Sequence, residues 1–445
     1  MEDVLRRIDL TTLPAEQELR GLLPRPAVDV AASLAAVTEL IDAVRERGAD
    51  ALIEQAERFD HVRPTEIRVG AQALTDALTA LDPSVRDALE VAVDRVRIGS
   101  RAQVPPSMVA HIAEGAEIEL RWQPVDRVGL YVPGGKAVYP SSVVMNVVAA
   151  QAAGVCSIAV ASPAQADHAG LPHPTILAAC ALLGVEEVYA MGGAGAIGAL
   201  AHGVPSIGLA PVDVVTGPGN VFVAAAKRVV AGTVRVDAEA GPTEILVIAD
   251  DSADAELVAA DLVSQAEHDE LASAVLVTDS AELADRVDAS VARRAAATAA
   301  AERVAASLMG EQSAIVLVAD LAAAARVSDA YAPEHLEIIT RDDDAVLAMV
   351  RHAGAIFLGP HTPVSLGDYA AGSNHVLPTG GQARRVAGLG AATFLRAQQV
   401  VRYDRAALAE VRREVTALAA AEGLPAHGEA IEARFEEPAR RQEVR

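Results

Sequence analysis

An alternation of short β-branched runs with longer apolar helical stretches, beginning at Arg127, constrains the fold of this chain more than any other feature. Its strands are predicted at residues 128–132, 157–161, 187–191 and 212–215. Its helices are predicted at residues 141–153, 175–183, 194–201 and 220–230. Because this alternation requires right-handed crossover connections, it indicates a parallel sheet that is covered by helices on both faces.

A second series of the same kind begins at Glu244. Its strands are predicted at residues 245–248, 274–277, 315–318, 337–339 and 355–358, with helices between them. We therefore expect an α/β protein with two successive units, each of which is an incomplete, doubly wound parallel sheet.

The two ends of the chain differ from this central part. Up to about residue 115 the pattern is mostly helical, with apolar positions three and four residues apart at 32–45 and 85–98. Beyond Gly381, an alanine-rich amphipathic helix is predicted at 404–422, followed by a charged tail. Because this tail is too short to form its own core, we expect it to pack on another domain or another subunit.

Charge and cysteine content limit the classes of function. The chain has 37 basic and 61 acidic residues and a net charge of −24, which disfavours nucleic acid binding. The two cysteines, Cys156 and Cys180, exclude a disulfide framework and a four-cysteine zinc site, and their apolar neighbours predict buried thiols. The N-terminus lacks the apolar core of a signal peptide, and the most apolar stretch contains the polar Asn146. We expect a cytoplasmic protein that binds no nucleic acid and no membrane.

Three glycine-rich turns follow predicted strands. Residues 193–198 fit the dinucleotide fingerprint G-x-G-x-x-G, and Asp213 lies near the position of its acidic residue, although the pattern also places Asp213 at the start of the next strand. The turns Thr216-Gly-Pro-Gly-Asn220 and Tyr131-Val-Pro-Gly-Gly135 allow a ligand to approach the backbone closely. Because the carboxyl ends of parallel strands meet at one sheet edge, these turns favour a ligand site there. Plain capped turns are the alternative.

The adjacent pair Glu334–His335 is the main candidate for proton transfer. A histidine titrates near neutral pH and can accept a hydroxyl proton, while a carboxylate can activate water. Pro333 precedes the pair and suits a helix start or a turn, where functional side chains are often displayed. A solvated charged turn is the alternative reading.

Further polar groups occur where helices and loops end. Gln265 and His268 are three residues apart at the end of a helix predicted to begin at 251 or 252, so they share one face. A glycine-punctuated loop, 367–381, carries Asp368 and His375, and Glu422 and His427 follow the C-terminal helix. The motifs of zinc proteases, P-loop proteins and serine hydrolases do not occur in the sequence, so spacing alone does not establish a metal site.

Six of these motifs together resemble the histidinol dehydrogenase family. In chain order they are YVPGGKAVYPSS (131–142), TGPGNVFVA (216–224), SQAEHD (264–269), YAPEHLE (331–337), GDYAAGSNHVLPTGG (367–381) and EGLPAH (422–427). The resemblance implies two Rossmann-like domains with helical N-terminal and C-terminal dimerisation segments. It also implies the oxidation of L-histidinol to L-histidine through L-histidinal, with two NAD molecules reduced, by a homodimer with shared active sites.

The resemblance also assigns roles to residues of this chain. One zinc ion in each subunit would be held by Gln265, His268, Asp368 and, from the partner subunit, His427. Substrate would contact Ser141, Thr243, Gln265, His268, His335, Asp368, His375, Glu422 and His427, and NAD would contact Tyr131 and Asn220. In the chemistry, His335 would take the alcohol proton as hydride leaves, and Glu334 would activate the water that hydrates the aldehyde.

The same resemblance suggests four regions along the chain. They are an N-terminal helical dimerisation segment (1–30), an α/β domain with most zinc and catalytic residues (31–130 plus 244–390), an NAD-binding α/β domain (131–243), and a C-terminal helical tail that reaches the partner's active site (391–445).

One residue of the fingerprint departs from the family pattern. Gly195 stands where the family commonly has a glutamine associated with the cofactor, so we expect weaker NAD binding or a substitute contact from elsewhere. Thr243 stands where serine is also frequent and keeps the hydroxyl group.

Two other functions would use some of the same residues. A zinc hydrolase would use the metal and Glu334 but leave the glycine turns without a role, and a ligand-binding protein without catalysis would need no base. A cysteine thiohemiacetal is a further route to aldehyde oxidation, but neither cysteine lies in a polar motif.

Overall fold

The computed structural model describes residues 4–26, 30–134, 138–238 and 241–436 of the chain. In chain order, the strands are β1 (Arg6–Leu10), β2 (Met108–Ala113), β3 (Ala116–Pro124), β4 (Arg127–Tyr131), β5 (Ser157–Ser162), β6 (Glu187–Ala190), β7 (Val214–Thr216), β8 (Arg235–Val236), β9 (Glu244–Ala249), β10 (Ser273–Thr278), β11 (Ala314–Val318), β12 (His335–Ile339), β13 (Ala355–Leu358) and β14 (Leu395–Tyr403).

The α-helices, again in chain order, are α1 (Glu16–Leu22), α2 (Leu34–Arg47), α3 (Ala49–Gln55), α4 (Ala71–Ala80), α5 (Pro83–Ala102), α6 (Pro140–Ala153), α7 (Pro174–Leu182), α8 (Gly193–His202), α9 (Val221–Val230), α10 (Ala255–Ala266), α11 (Ala281–Ala297), α12 (Ala301–Leu308), α13 (Leu321–Tyr331), α14 (Asp343–Leu347), α15 (Val364–Tyr369), α16 (Arg405–Ala421) and α17 (Pro425–Glu432). None of these helices has both the length and the apolar character that a membrane span requires.

The described residues form two compact units. The first takes its residues from Met1–Val104 and Val125–Phe394, and the second from Pro105–Pro124 and Leu395–Arg445. Within the first unit, one parallel sheet has the strand order β1-β11-β10-β9-β12-β13 and the other has the order β6-β5-β4-β7-β8. The second unit contains the antiparallel sheet β14-β3-β2. The predicted α/β fold with two parallel sheets is therefore confirmed.

The six-stranded sheet is buried on both faces, as its apolar sequence requires. In β9, Ile245 and Val247 belong to one hydrophobic cluster, whereas Leu246 and Ile248 belong to another. Successive side chains of a strand point to opposite faces, so helices cover both sides of this sheet. An uninterrupted apolar run is the pattern expected of such a central parallel strand, and this explains why the sequence predicted β9 well.

Helix α2 shares its core with the five-stranded sheet, whereas we expected residues 31–130 to group with the six-stranded one. Val37, Ile41 and Val44 form an apolar stripe that packs on helices α8 and α9. Gly198 lets α8 come close, because a Cβ atom there would lie only 3.1 Å from the Ile41 Cγ1 atom. The last glycine of the fingerprint thus serves helix packing.

Both ends of the chain contain strands that the sequence did not predict. We expected residues 1–30 to be helical, but Arg6–Leu10 forms the edge strand β1, parallel to β11. We also expected a helical tail from residue 391, but Leu395–Tyr403 forms β14. Both strands are partly exposed and rich in charged or polar residues, so they lack the apolar run that marks a buried strand. Whether these segments dimerise stays a prediction.

The two cysteines differ in environment. Cys180 is buried in α7, as predicted, but Cys156 is exposed, so the expectation for Cys156 was wrong. Cys156 follows the glycine that ends α6, and its neighbour Val155 takes the buried position instead.

Candidate active site

The pair Glu334–His335 lies at the amino end of β12, between the end of α13 and the sheet. Ala332 adopts a left-handed conformation (φ 50°), and Pro333 then directs the chain into the strand. Glu334 is 6 % exposed and His335 is 4 % exposed. The solvated-turn reading is therefore wrong, and the helix start that Pro333 also allowed does not occur here. The pair is a buried acid–base group in a turn that leads into a strand.

Two hydrogen bonds hold the Glu334 carboxylate at one oxygen. Its Oε2 atom accepts from the Thr243 hydroxyl group (2.6 Å) and from the Glu244 backbone N–H group (2.9 Å). Burial raises the pKa of Glu334 to about 8, against the effect of these two hydrogen bonds. A carboxyl group of this kind gains and loses its proton close to neutral pH, as a general base requires.

A hydrogen bond to the backbone fixes the tautomer of His335. Its Nδ1 atom lies 3.0 Å from the Glu244 carbonyl oxygen, which can only accept, so Nδ1 carries the proton. Burial lowers the pKa of His335, so the ring is neutral at physiological pH and its Nε2 atom carries a free lone pair. His335 is thus arranged to accept a proton at Nε2.

The predicted metal-ligating residues of the first unit lie around this pair. The Gln265 side chain is buried, and its Nε2 group donates to the Thr243 hydroxyl oxygen (2.6 Å), which leaves its Oε1 atom available to a ligand. The His268 Nε2 atom lies 3.9 Å from Asp368 Oδ2. Burial lowers the pKa of His268, which favours the neutral imidazole that a metal needs.

This donor set fits a divalent cation. Two ligand atoms at about 2.1 Å from one ion lie roughly 3–4 Å apart, and the His268 and Asp368 atoms satisfy that condition. An amide oxygen, a neutral imidazole and a carboxylate are together acceptable to Zn²⁺. In the described ranges of the chain, no group of three or more His, Cys, Asp and Glu side chains that could hold a metal occurs. A complete zinc site would thus need Gln265 and a further ligand.

The ring of His375 is held at both nitrogen atoms. Its Nδ1 group donates to the Asp368 carbonyl oxygen (2.9 Å), so Nε2 accepts from the Ser142 hydroxyl group (3.1 Å). Burial lowers the pKa of His375. The resemblance implied that His375 contacts substrate, but in this structure its Nε2 atom already has a partner. Ser142 lies next to the predicted Ser141 in the first turn of α6.

A buried hydrogen-bonded series continues from Ser142 to the end of β7. Asn146 donates to the Ser142 carbonyl oxygen (2.8 Å) and accepts from the Thr216 hydroxyl group (2.7 Å). Neither Ser142 nor Asn146 was among the predicted site residues. A fully buried amide in the most apolar helix of the chain was the signal that would have found Asn146.

A buried pair of carboxyl groups has one member on the same strand as His335. The carboxyl group of Glu337, two residues after His335 in β12, lies against that of Asp261 in α10, which also lies close to the backbone of Val364 in α15. Burial raises the pKa of Glu337 to about 9, and burial also raises the pKa of Asp261. Glu337 is therefore protonated at neutral pH, and the pair links the three elements that carry His335, Gln265 and Asp368.

The glycine turns meet at the carboxyl edge of the five-stranded sheet, as predicted. Tyr131 ends β4, and its buried phenol oxygen accepts from the Gly193 N–H group at the start of α8 (3.2 Å). Burial raises the pKa of Tyr131 to about 12. Asn220 caps α9, with Oδ1 accepting from the N–H groups of Phe222 (3.0 Å) and Val223 (3.2 Å). Gly135, which belongs to the same predicted turn as Tyr131, lies outside the described residues.

An ion pair holds the glycine turn at residues 216–220. Lys227 is 1 % exposed and donates to Asp237 and to the Gly217 carbonyl oxygen. Asp237 in turn accepts from the Gly217 N–H group (2.9 Å). Gly217 has φ 122° and passes so close to the Tyr131 backbone that a side chain would not fit. The turn is therefore rigid before any ligand binds.

Two residues of the fingerprint behave differently from a dinucleotide site. Asp213 accepts from the N–H groups of Asp126 and Arg127 at the amino end of β4, opposite the glycine turns, so it cannot take the acidic position. A Cβ atom at Gly195 would lie 2.4 Å from the Gln55 Oε1 atom. The amide group of Gln55 thus fills the space that a side chain at 195 would need.

The two remaining predicted residues belong to the second unit. Glu422 follows the last residue of α16, and His427 lies in the first turn of α17. Both side chains are exposed. Their predicted roles towards metal and substrate stay predictions.

Comparisons with known proteins agree on one family. The family model described as histidinol dehydrogenase matches residues 23–435. The histidinol dehydrogenase of Leifsonia xyli subsp. xyli is 62 % identical over 436 residues, which cover 98 % of this chain and 100 % of that protein. The one from Thermobifida fusca is 59 % identical over 435 residues, which cover 98 % of each chain. The crystal structure of histidinol dehydrogenase from Elizabethkingia anophelis has a TM-score of 0.91 at 29 % identity and covers 98 % of this chain and 99 % of its own.

Proposed function

Because the chain belongs to the histidinol dehydrogenase family, we propose that it oxidises L-histidinol to L-histidine through L-histidinal, the last steps of histidine biosynthesis. One observation carries the chemical part of this proposal. A buried carboxyl group whose pKa is raised to about 8 lies beside a neutral histidine whose Nε2 atom is free to accept a proton.

In the first oxidation, the Nε2 atom of His335 takes the proton of the substrate hydroxyl group while hydride leaves the adjacent carbon. In the second, protonated His335 returns its proton to the aldehyde oxygen while the Glu334 carboxylate takes a proton from water, whose oxygen adds to the aldehyde carbon. The Nε2 atom of His335 then takes a hydroxyl proton of the hydrate as hydride leaves its carbon. Thr243 and Glu244 orient the Glu334 carboxylate through the two hydrogen bonds to Oε2. The glycine turns near Tyr131 and Asn220 would hold NAD, which would supply the hydride acceptor for each oxidation.

A zinc ion is the second part of the proposal. Gln265, His268 and Asp368 would hold it together with His427, and it would orient the imidazole and amine groups of the substrate. The free Oε1 atom of Gln265 and the spacing of His268 and Asp368 support this assignment.

We further propose a cytoplasmic homodimer in which His427 and Glu422 complete the site of the partner subunit, with neither nucleic acid nor a membrane bound. Apolar side chains exposed on the second unit support an interface there, among them Met108, Val109, Ile112, Val401 and Leu418. Large apolar side chains exposed in this number are typical of a region that a second chain covers.

The proposal is tested by incubating the purified protein with L-histidinol and NAD and measuring NADH. We expect two NADH for each histidinol consumed, loss of activity with a chelator, and recovery with Zn²⁺. A protein that binds zinc but forms no NADH would contradict the dehydrogenase and favour a zinc hydrolase.

The shared site is tested by mixing two inactive variants, His335→Asn and His427→Asn, after reversible dissociation. If His427 serves the partner's site, mixed dimers contain one intact site, and about a quarter of the wild-type activity returns on random mixing. Each variant alone, dissociated and reassociated in the same way, is the control. Mixtures that stay inactive would place His427 and His335 in the same subunit's site.

A further inference from the structure

The backbone of one residue, Glu244, forms hydrogen bonds with both Glu334 and His335. Its N–H group donates to Glu334 Oε2 (2.9 Å), and its carbonyl oxygen accepts from His335 Nδ1 (3.0 Å). Glu244 is the first residue of β9, where the chain enters the sheet. A shift of this one peptide segment would therefore change the orientation of the carboxylate and of the imidazole at the same time.

The side chain of Glu244 is anchored by an arginine from the N-terminal segment. Glu244 is 1 % exposed, and its Oε1 atom accepts from Arg25 Nη1 (2.8 Å) and from the Gly380 N–H group (3.2 Å). Burial raises the pKa of Glu244 to about 7, and the Arg25 charge opposes that shift. Arg25 thus favours the ionised carboxylate that makes these bonds.

The same guanidinium group contacts the segment that leads to Glu334. Its carbon atom lies 4.0 Å from the centre of the Tyr331 ring, and Nη2 donates to the Tyr331 carbonyl oxygen. Tyr331 is the last residue of α13 and is buried, so Ala332 and Pro333 alone separate it from Glu334. A planar guanidinium can stack and donate from two nitrogen atoms at once, which an ammonium group cannot.

We propose that Arg25 is a positioning residue of this active site, which locks the start of β9 to the end of α13 and so fixes Glu334 and His335 relative to each other. Its predicted consequence for turnover rests on the proposed function. The N-terminal segment, whose predicted role was dimerisation alone, then also completes the support of the catalytic pair.

The test compares Arg25→Met and Arg25→Lys with the wild-type enzyme, and uses Arg20→Met as the matched control. Arg20 also lies in the N-terminal segment, but its pair with Glu16 is exposed. We expect Arg25→Met to lower kcat about 10- to 100-fold for both histidinol and histidinal, because small misplacements of catalytic groups are costly. KM for NAD and histidinol should stay within about twofold, since the hydrogen bonds that Arg25 makes within the described residues go to Glu244 and Tyr331.

Arg25→Lys should recover part of kcat, because it keeps the charge beside Glu244 but loses the stacking and the second donor. Arg20→Met should keep the wild-type kcat. A wild-type kcat in Arg25→Met, or an effect on KM alone, would overturn the inference. If Arg25→Met does not fold, Arg25→Lys decides, and an unchanged kcat there overturns it equally.

A readout independent of turnover separates this inference from the proposed function. In a crystal structure of Arg25→Met, we expect the Glu244 N to Glu334 Oε2 distance to exceed about 3.5 Å, the limit of a hydrogen bond. An unchanged distance would refute the positioning role even if the wild-type protein proved inactive with histidinol. Absence of NADH from the wild-type protein would instead refute the proposed function.

Discussion

The two parallel sheets of the first unit carry their candidate functional residues at opposite ends of their strands. In the five-stranded sheet, the glycine turns lie at the carboxyl ends of β4, β6 and β7, beside the point where the strand order reverses. In the six-stranded sheet, Glu244 and His335 lie at the amino ends of β9 and β12, the two strands at its own reversal point. Parallel sheets usually bind ligands at the carboxyl edge. The six-stranded sheet departs from that rule.

The carboxyl edge of the six-stranded sheet is closed by its own side chains. Asp250, just after β9, accepts from the Arg341 N–H group (2.9 Å) and from the Ser252 N–H group (3.0 Å). The backbone groups that would otherwise meet a ligand between β9 and β12 are therefore already satisfied. The reactive side chains lie instead at the amino edge, where α10 and α15 supply Gln265 and Asp368.

The two edges also differ in the groups they offer. The five-stranded edge offers glycine backbone, a phenol and an amide, which suit an anionic dinucleotide near the start of a helix. The six-stranded edge offers groups with shifted pKa values, namely the buried Glu334 and His335 and the half-buried His268 and His375. Proton transfer needs titratable groups, whereas binding needs rigid donors, so the difference between the edges supports the proposal that chemistry occurs at one and cofactor binding at the other.

The largest test of this division is His335→Asn. The amide group preserves a donor towards the Glu244 carbonyl oxygen but cannot accept the substrate proton, so kcat should fall by about 10²- to 10⁴-fold in both oxidations. Titration calorimetry should show histidinol affinity within a few-fold of the wild type. Substantial activity in this variant would move the proton acceptor to another residue, and a loss of binding alone would make His335 a binding residue.

The next effect concerns Glu334→Gln. Loss of the carboxylate should slow histidinal oxidation about 10- to 100-fold, while histidinol oxidation changes less, because only the second step needs activated water. Rates with each substrate supplied separately measure the difference. Equal losses in both steps would show that the division of roles between Glu334 and His335 is wrong.

The pH dependence of histidinal oxidation is a further test of Glu334, and its direction follows from the raised pKa of that group. Glu334 acts as a base only when ionised, and burial raises its pKa to about 8. Histidinal oxidation by the wild-type enzyme should therefore increase as pH rises through about 8, and Glu334→Gln should lack that rise. His335 has a lowered pKa, so it is already neutral at pH 7 and gives no comparable rise there.

Buried strands and motif residues are the features of this protein that could be predicted from the sequence. The long apolar runs predicted β9 at residues 245–248, within one residue of the observed Glu244–Ala249 at each end. The strands β1 and β14 were missed because half-exposed, charged strands have no such run. Motifs likewise identified Glu334 and His335, whose residue types carry the chemistry.

The supports of the site could not be predicted in the same way. Glu244 acts through its backbone, which every residue type possesses, and Arg25 is 219 positions away in the chain from the carboxylate it binds. Ser142 differs from its neighbour Ser141 only in the direction its side chain takes from α6. Contacts of these kinds depend on the folded arrangement, not on local pattern.

A smaller effect is expected at the carboxyl edge of the five-stranded sheet, where we propose that NAD binds. Tyr131→Phe removes the acceptor of the Gly193 N–H group, which loosens the start of α8. We expect KM for NAD to rise about two- to tenfold with kcat nearly unchanged, as for the loss of one hydrogen bond. Tyr189→Phe is the matched control, since its buried hydroxyl group bonds Glu187 and Gly208 and should affect stability alone. A fall in kcat for Tyr131→Phe would contradict the separation of cofactor binding from proton transfer between the two sheet edges.

The smallest effect concerns the space beside Gly195. Gly195→Gln places a Cβ atom 2.4 Å from Gln55 Oε1, and Gln55 also donates to the Leu40 carbonyl oxygen (3.0 Å). Overpacking of this kind costs about 1–3 kcal/mol, so thermal unfolding should occur a few degrees lower and NAD should not bind more tightly. Gly232→Gln, where a Cβ atom meets nothing within 4 Å, is the control and should be nearly neutral.

Adding Gln55→Ala to Gly195→Gln separates crowding from a direct role in cofactor binding. If Gln55 merely fills the space, the double variant should regain about 1 kcal/mol relative to the sum of the single variants, because the two residues are in contact. If the double variant also binds NAD more tightly than the wild type, the start of α8 tolerates a side chain at 195, and in the wild type Gln55 occupies the space for it. Additive losses would mean that the two side chains are independent, and that position 195 of α8 itself requires glycine.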